Sequence, residues 1–233
     1  MSKTPVDYFT QEAAQGYDAR NSKLSAISDC MHFLTSLLLK DLPARSRILC
    51  AGVGTGAELL ALARIFPEWQ FVALDPSNSM LEICRERTKA EGFDKRCEFV
   101  NGFVSDLPHE ANFHAALSFL VGHFVARDQR LNFYKDMIDR LQNDGYLVNA
   151  EISFDLNSKE FPAMLRSWEK VQSLMGGTPE SLAKLPALLR DTLTVIPPLE
   201  VEDLIQKSGI DIPLRFFQAF MICAWYGKKE KRA

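Results

Sequence analysis

The stretch Ile48-Leu49-Cys50-Ala51-Gly52-Val53-Gly54-Thr55-Gly56-Ala57 decides the fold. A short apolar run, Arg47 to Ala51, ends at three alternate glycines, and an apolar helical pattern, Ala57 to Ile65, follows at once. Glycines at a strand-to-helix turn permit dihedrals closed to other residues and let a ligand lie directly on the backbone. The helix that starts there offers free N–H groups to it.

Working outward, strands and helices alternate. Gln70 to Leu74 is a second strand, stopped by Asp75-Pro76, and Asn78 to Glu91 is a helix. Cys97 to Val100 and Phe113 to Phe119 read as the third and fourth strands. Leu131 to Leu141 reads as a helix, Asn143-Asp144-Gly145 as a turn, and Tyr146 to Ile152 as a fifth strand. Such alternation predicts an α/β, doubly wound, mainly parallel sheet with helices on both faces. Near-continuous apolar strands such as Phe71-Val72-Ala73-Leu74 agree, because parallel strands are buried on both sides.

The flanks differ. Residues 7–40 look helical, with apolar spacing from Leu24 to Lys40, and Pro43 stops the pattern. Residues 156–192 read as mostly helical, residues 199–208 as another helix, and Asp211 to Phe217 and Met221 to Gly227 as closing strands. The organisation expected is one domain, residues 1–233. It has N-terminal helices (1–44), a cofactor-binding core (45–155), a helical lid (156–192), and a C-terminal helix with closing strands (193–233).

Composition narrows the function. The 233 residues are 47% hydrophobic and 24% charged, with a formal net charge of -3. No basic excess marks a nucleic-acid groove. Five scattered cysteines without a C-x-x-C argue against a disulfide framework and a zinc site, so no metal is expected. No stretch approaches the roughly 18 apolar residues of a membrane span, and the N-terminal sequence shows no leader pattern. These features predict a cytoplasmic protein without membrane attachment.

Asp75, at the end of the second strand, stands nineteen residues past Gly56. In an open parallel sheet both elements fall at the carboxyl edge, where ligands bind at the switch point. A carboxylate there can accept hydrogen bonds from both ribose hydroxyls. The pair points to a nucleoside-containing cofactor. Gly52, Gly54 and Ala57 also fit G-x-G-x-x-A, which leaves a dinucleotide open on this motif alone.

Further motifs separate the two. G-V-G-T-G followed by L-D-P-S-N-S-M-L resembles the class I S-adenosylmethionine-dependent methyltransferases. Asn101 to Pro108 resembles the adenine-side segment of that family, Phe113 to Ser118 its fourth strand, and Val121-Gly122-His123-Phe124 the segment after it. Leu141 to Leu147 resembles its L-x-P-G-G-x-L turn, and Phe216 to Trp225 its closing hairpin. The likeness runs in order over residues 47 to 227. It departs at Cys50, where the family carries an acid, and at Phe103, where an Asp is common.

The resemblance implies a seven-stranded, Rossmann-like sheet with an antiparallel C-terminal strand and a lid. It implies an enzyme of class EC 2.1.1.- that moves a methyl group from S-adenosyl-L-methionine to a small acceptor and releases S-adenosyl-L-homocysteine. Gly52, Gly54 and Gly56 would underlie the methionine part, and Ala51 and Ser118 would offer backbone oxygens to its ammonium. Asp75 would hold the ribose. Pro76 and Met80 would cover one adenine face, with Gly102, Phe103 and Val104 on the other side. In-line displacement at a charged sulfonium mainly needs alignment and exclusion of water. His123 is the candidate general base, and Tyr17, Arg20, Glu151, Trp168 and Arg190 are acceptor-side candidates.

Three other readings accompany this one. The C-terminal third resembles carboxy-S-adenosylmethionine synthases, whose lid carries a basic residue for the added carboxylate; Pro186 aligns there, with Arg190 one helical turn on. A short-chain oxidoreductase would want Y-x-x-x-K, but Tyr226 is followed four places later by Glu230. A non-catalytic cofactor-binding protein of the same fold is the third. The sequence leaves the acceptor and the oligomeric state open, a homodimer among the options.

Overall fold

A computed structural model describes residues 16–231. The part of the N-terminal helical expectation on residues 7–15 lies outside them. The remainder is two helices, α1 (Tyr17–Asn21) and α2 (Ser25–Leu39), joined by a 3-10 turn at Ser22–Leu24. They are followed by β1 (Arg47–Ala51), α3 (Ala57–Ile65), β2 (Gln70–Asp75), α4 (Asn78–Ala90), β3 (Cys97–Asn101) and β4 (Phe113–Phe119). After these come α5 (Arg130–Asp139), β5 (Leu141–Ile152), α6 (Phe161–Leu174), α7 (Pro179–Ala183), α8 (Leu185–Ala187), α9 (Pro198–Lys207), β6 (Leu214–Ala219) and β7 (Ile222–Lys228).

The strands form one seven-stranded sheet in the order β3-β2-β1-β4-β5-β7-β6. Neighbours from β3 to β5 pair in parallel, and β7 runs antiparallel to both β5 and β6. This is the class I methyltransferase, Rossmann-like architecture. The order reverses between β1 and β4, so their carboxyl ends open the crevice in which such sheets bind ligands.

Strand period sorts the core into two layers. Ile48 and Cys50 of β1 pack with Leu39, Leu59 and Leu62 on one side of the sheet. Leu49 and Ala51 pack with Tyr134, Met137, Val201 and Ile205 on the other. A third cluster joins the lid to the sheet end, around Phe161, Trp168, Leu185, Leu189 and Met221.

The turn expected at Asn143-Asp144-Gly145 is instead part of β5. Asp144 takes φ 65°, but its N–H donates to Lys229 O (2.8 Å), and Lys229 N–H donates to Gly145 O (2.8 Å). The ladder runs through the irregularity as a bulge does, with a register shift opposite Phe113 and Ala115.

One buried ion pair fixes the far end of the sheet. Asn149 and Glu151 point from β5 toward α5, where the Glu151 carboxylate meets the Arg130 guanidinium, the Tyr134 hydroxyl and Asn149 Nδ2. Arg130 also donates to the carbonyls of Val125 and Thr194, tying in the segment that leaves the lid. Gly122 is needed here, because a Cβ on it would lie 2.7 Å from the Glu151 carboxylate. Removing one partner of such a pair strands the other charge. Glu151→Ala is expected to cost about 3–5 kcal/mol in denaturant unfolding; a loss below about 1 kcal/mol contradicts the assignment of this pair as the anchor.

Candidate functional site

The glycine turn is clamped from β2. Gly52 and Val53 N–H both donate to Leu74 O (2.8 and 3.0 Å). Gly54 N–H donates to Asp75 Oδ2 and Ser77 N–H to Asp75 Oδ1, each at 2.8 Å. Ser77 in turn caps α4, with its Oγ accepting from Met80 N–H. Burial pushes the Asp75 carboxyl upward, while the two N–H donors pull it back toward ionisation. Each carboxylate oxygen has a second lone pair, so Asp75 can hold the turn and still accept from a ligand.

Gly54 has φ 53°, and a Cβ built on it would meet nothing within 4 Å. The open space is therefore over the backbone of the turn. Ala51 and Ser118 stand one step past Cys50↔Leu117, the last β1–β4 pair, where the strands part. Ser118 Oγ is buried there with no hydrogen-bond partner among the described residues. Neither Ala51 nor Ser118 lines any of the three cavities that meet here, so the open space is over Gly52 and Gly54 and not over these two.

Three cavities meet at this place. One of about 70 Å³ lies over Gly52, Gly54, Asp75, Pro76, Ser77 and Met80. A second, about 340 Å³, runs from the same glycines beneath α1 and α2, past Glu58 and Met31. A third, about 510 Å³, lies under the lid. Its walls are chiefly Leu24, Phe124, Ile152, Trp168, Met175, Leu182, Leu185, Leu188, Leu189 and Leu193, and its polar side chains include Arg20, His123, Gln172 and Ser181. Tyr17 and Leu120 line all three.

The N-terminal helix is latched onto the turn. Thr55 Oγ1 donates to Asp18 Oδ1 (2.7 Å), and Arg87 donates to Asp18 Oδ2, Thr55 O and Thr55 Oγ1. Tyr17 is carried over the site by this contact, and burial first, then Glu58 and Asp18, raise its phenol. Leu120 holds φ 59° at the exit of β4, fixed by its N–H on Ala150 O (2.6 Å). Such backbone strain is typical of functional edges.

The other expected residues divide. His123 is buried and lines the lid cavity, but Ile152 N–H donates to its Nδ1 (3.2 Å). That bond puts the ring proton on Nε2. Burial and the Arg130 charge push its pKa down to about 3. A ring with its acceptor nitrogen taken is unsuited to a general base, which corrects that expectation. Glu151 is equally corrected: it is consumed by the buried ion pair and lines none of the three cavities.

Arg190 donates to Leu156 O and Asn157 Oδ1 and lies 5.1 Å over the Phe161 ring. It ties Leu188–Thr192 to the chain just before α6 and lines none of the cavities; Arg20 is the basic side chain that lines the third cavity. Trp168 belongs to the lid core and faces the cavity as well.

Gly102, Phe103 and Val104 line no cavity. Val104 is core, Phe103 is 54% exposed, and the Phe103 N–H is held by Asp106 Oδ2. Sequence reasoning missed Asn101, whose amide latches Asp75 O and Pro76 O (3.0 Å each), and also Asp18, Leu120 and Glu58. Only Asp18 carried a signal, as the neighbour of the candidate Tyr17. No helix among the described residues is long and apolar enough to cross a membrane.

Residues 48–145 match the family model described as "Methyltransferase domain". A carboxy-S-adenosyl-L-methionine synthase of Campylobacter hominis is 22% identical over 83% of this chain and 81% of its own length. Three further curated relatives carry the same name.

A structure from Methanococcus maripaludis, assigned to the S-adenosyl-L-methionine-dependent methyltransferases, superposes with a TM-score of 0.67 at 16% identity, over 100% of this chain and 99% of its own. One from Nostoc punctiforme, assigned as an O-methyltransferase, gives 0.65 at 14% identity over 88% of this chain; the chain spans 58% of that structure, less than two thirds of it. The chain has the class I methyltransferase fold, and residues 48–145 match the methyltransferase domain model.

The Asp75 clamp is testable without a ligand. Asp75→Ala deletes two charge-assisted hydrogen bonds, each about 1.5–3 kcal/mol, and should lower the thermal midpoint by several degrees. An unchanged midpoint would mean that the turn holds itself.

Proposed function

We propose that this protein transfers a methyl group from S-adenosyl-L-methionine to a small, largely apolar acceptor held under the lid. The observation that carries the reading is the junction at Tyr17 and Leu120, where the glycine–Asp75 site and the lid cavity meet. Bound there, the cofactor supplies a methyl on a positively charged sulfur, a leaving group that needs no acid.

The chain then has to bind, align and exclude water. The Gly52–Gly56 turn cradles the methionine part, Asp75 accepts from the ribose, and Pro76 and Met80 flank the adenine. Tyr17, latched through Asp18, closes the cofactor side. Leucines, Phe124 and Trp168 form the acceptor walls, where apolar surface gains about 25 cal/mol per Å² on leaving water. His123 serves as a neutral Nε2–H donor that orients the acceptor, and Arg20 as the cation for an anionic group on it.

The names of the four curated relatives favour a second reading, carboxy-S-adenosylmethionine synthesis. The occupied Arg190 counts against it, since a lid cation free to grip an added carboxylate is wanted; Arg20 would have to take that part. Mass spectrometry of ligands released from the purified protein separates the readings: the carboxylated cofactor supports the second, the plain one the first.

Incubating the protein with methyl-labelled S-adenosyl-L-methionine and a panel of apolar metabolites should give labelled product and S-adenosyl-L-homocysteine. Binding without turnover across the panel would favour a non-catalytic role. The rate should show no inflection from His123 between pH 5 and 7, because a group with its pKa near 3 is neutral throughout that window. An inflection there that vanishes in His123→Gln contradicts the donor role. Cleavage by protease within residues 156–192 should slow when S-adenosyl-L-homocysteine is added; equal rates count against a closing lid.

A further inference from the structure

Glu58 sits in the first turn of α3, directly after the glycine turn. Its residue is 7% exposed, and that remnant faces the cavity over Gly52 and Gly54. A glutamate so buried normally has a cationic partner or several donors. Among the described residues this one has no ion pair, and its carboxylate takes a hydrogen bond from its own N–H.

The titratable and charged groups around it come from five elements. They are Tyr17 and Asp18 of α1, His32 of α2, Cys50 of β1, Asp75 of β2, and Cys84 and Arg87 of α4. Tyr17, Cys50 and Cys84 are raised by burial and carry no charge at neutral pH, and His32 is lowered by burial. Asp75 adds a second negative charge. Arg87, the one cation in the set, is spent on Asp18 and Thr55. The cavity wall therefore presents a carboxyl group with its counter-charge missing. Burial, with Asp75 adding to it, pushes Glu58 up to about 8.

We infer that the Glu58 carboxylate is the anionic partner of the ammonium group at the methionine end of the bound cofactor. This rests on the cofactor reading above. The ammonium is a compact cation of the right charge, and the glycine cradle beside Glu58 is where the methionine portion lies in that reading. Cys50, fully buried and neutral, makes room for this arrangement. A carboxylate at position 50 would face Glu58 across the same small space and keep one of the two protonated.

Arrival of the ammonium favours the ionised form of Glu58. Well below that value the protonated form prevails in the free protein, so binding releases its proton, and affinity rises with pH until the ligand's ammonium begins to lose its own proton.

The test is calorimetry of the full chain and of Glu58→Gln at pH 6.5, in two buffers of different ionisation enthalpy. One probe is S-adenosyl-L-homocysteine, which has the ammonium. The other is 5′-methylthioadenosine, which has the nucleoside and sulfur but no amino acid. Expected is about a tenfold loss of S-adenosyl-L-homocysteine affinity in Glu58→Gln, loss of the released proton, and unchanged 5′-methylthioadenosine affinity. Equal loss for both probes means a damaged pocket and overturns the ammonium contact, as does no loss for either. Failure of wild-type protein to bind either probe overturns the cofactor reading itself, and this inference with it.

Discussion

The two hydrogen bonds from Gly54 N–H and Ser77 N–H to the Asp75 carboxylate carry the geometry of the site. They lock the exit of β1 to the exit of β2 and start α4 in register with both. The glycine turn has positive φ at Gly52, Gly54 and Gly56, and only Val53 and Thr55 pack side chains from it. Without a fixed acceptor it would have many conformations to choose from. Asp75 removes that freedom and, with its remaining lone pairs, faces the same crevice. Those two N–H donors are what make a buried carboxylate tolerable there.

Two other buried carboxylates show what tolerance requires. Glu151 has Arg130, Tyr134 and Asn149 around it and is a finished structural unit, which braces the lid exit through Arg130 and Thr194. Glu58 is also buried and has no such partners among the described residues. Coulomb energy in a low-dielectric pocket makes the difference large: the first carboxylate has its counter-charge within the protein, and the second has no ion pair among the described residues. The lid cavity is different in kind. It is walled by leucines and aromatic rings, with few polar groups, His123, Arg20, Gln172 and Ser181 among them.

Much of this was legible in the sequence because the signals are local. The glycine turn and the acid nineteen residues on are set by chain geometry alone, and strand–helix alternation predicted the sheet. Side-chain roles were legible only where no distant partner intervened. Arg190 looks free in sequence, yet its guanidinium is taken by Leu156 and Asn157, more than thirty residues away. Glu151 stands at a strand end near the site, and nothing in its neighbours says that Arg130 will claim it. His123 stands in the turn after β4, and the Ile152 N–H that fixes its tautomer comes from β5, far along the chain. Leu120 and Asn101 matter through backbone geometry, for which leucine and asparagine give no sequence signal.

The most direct test is calorimetric titration of the purified protein with S-adenosyl-L-methionine and, separately, with NADH. The account predicts micromolar binding of S-adenosyl-L-methionine and none of NADH. Binding of NADH alone would turn the glycine–Asp75 site into a dinucleotide site and contradict the account; binding of neither would leave the fold without the cofactor on which it rests.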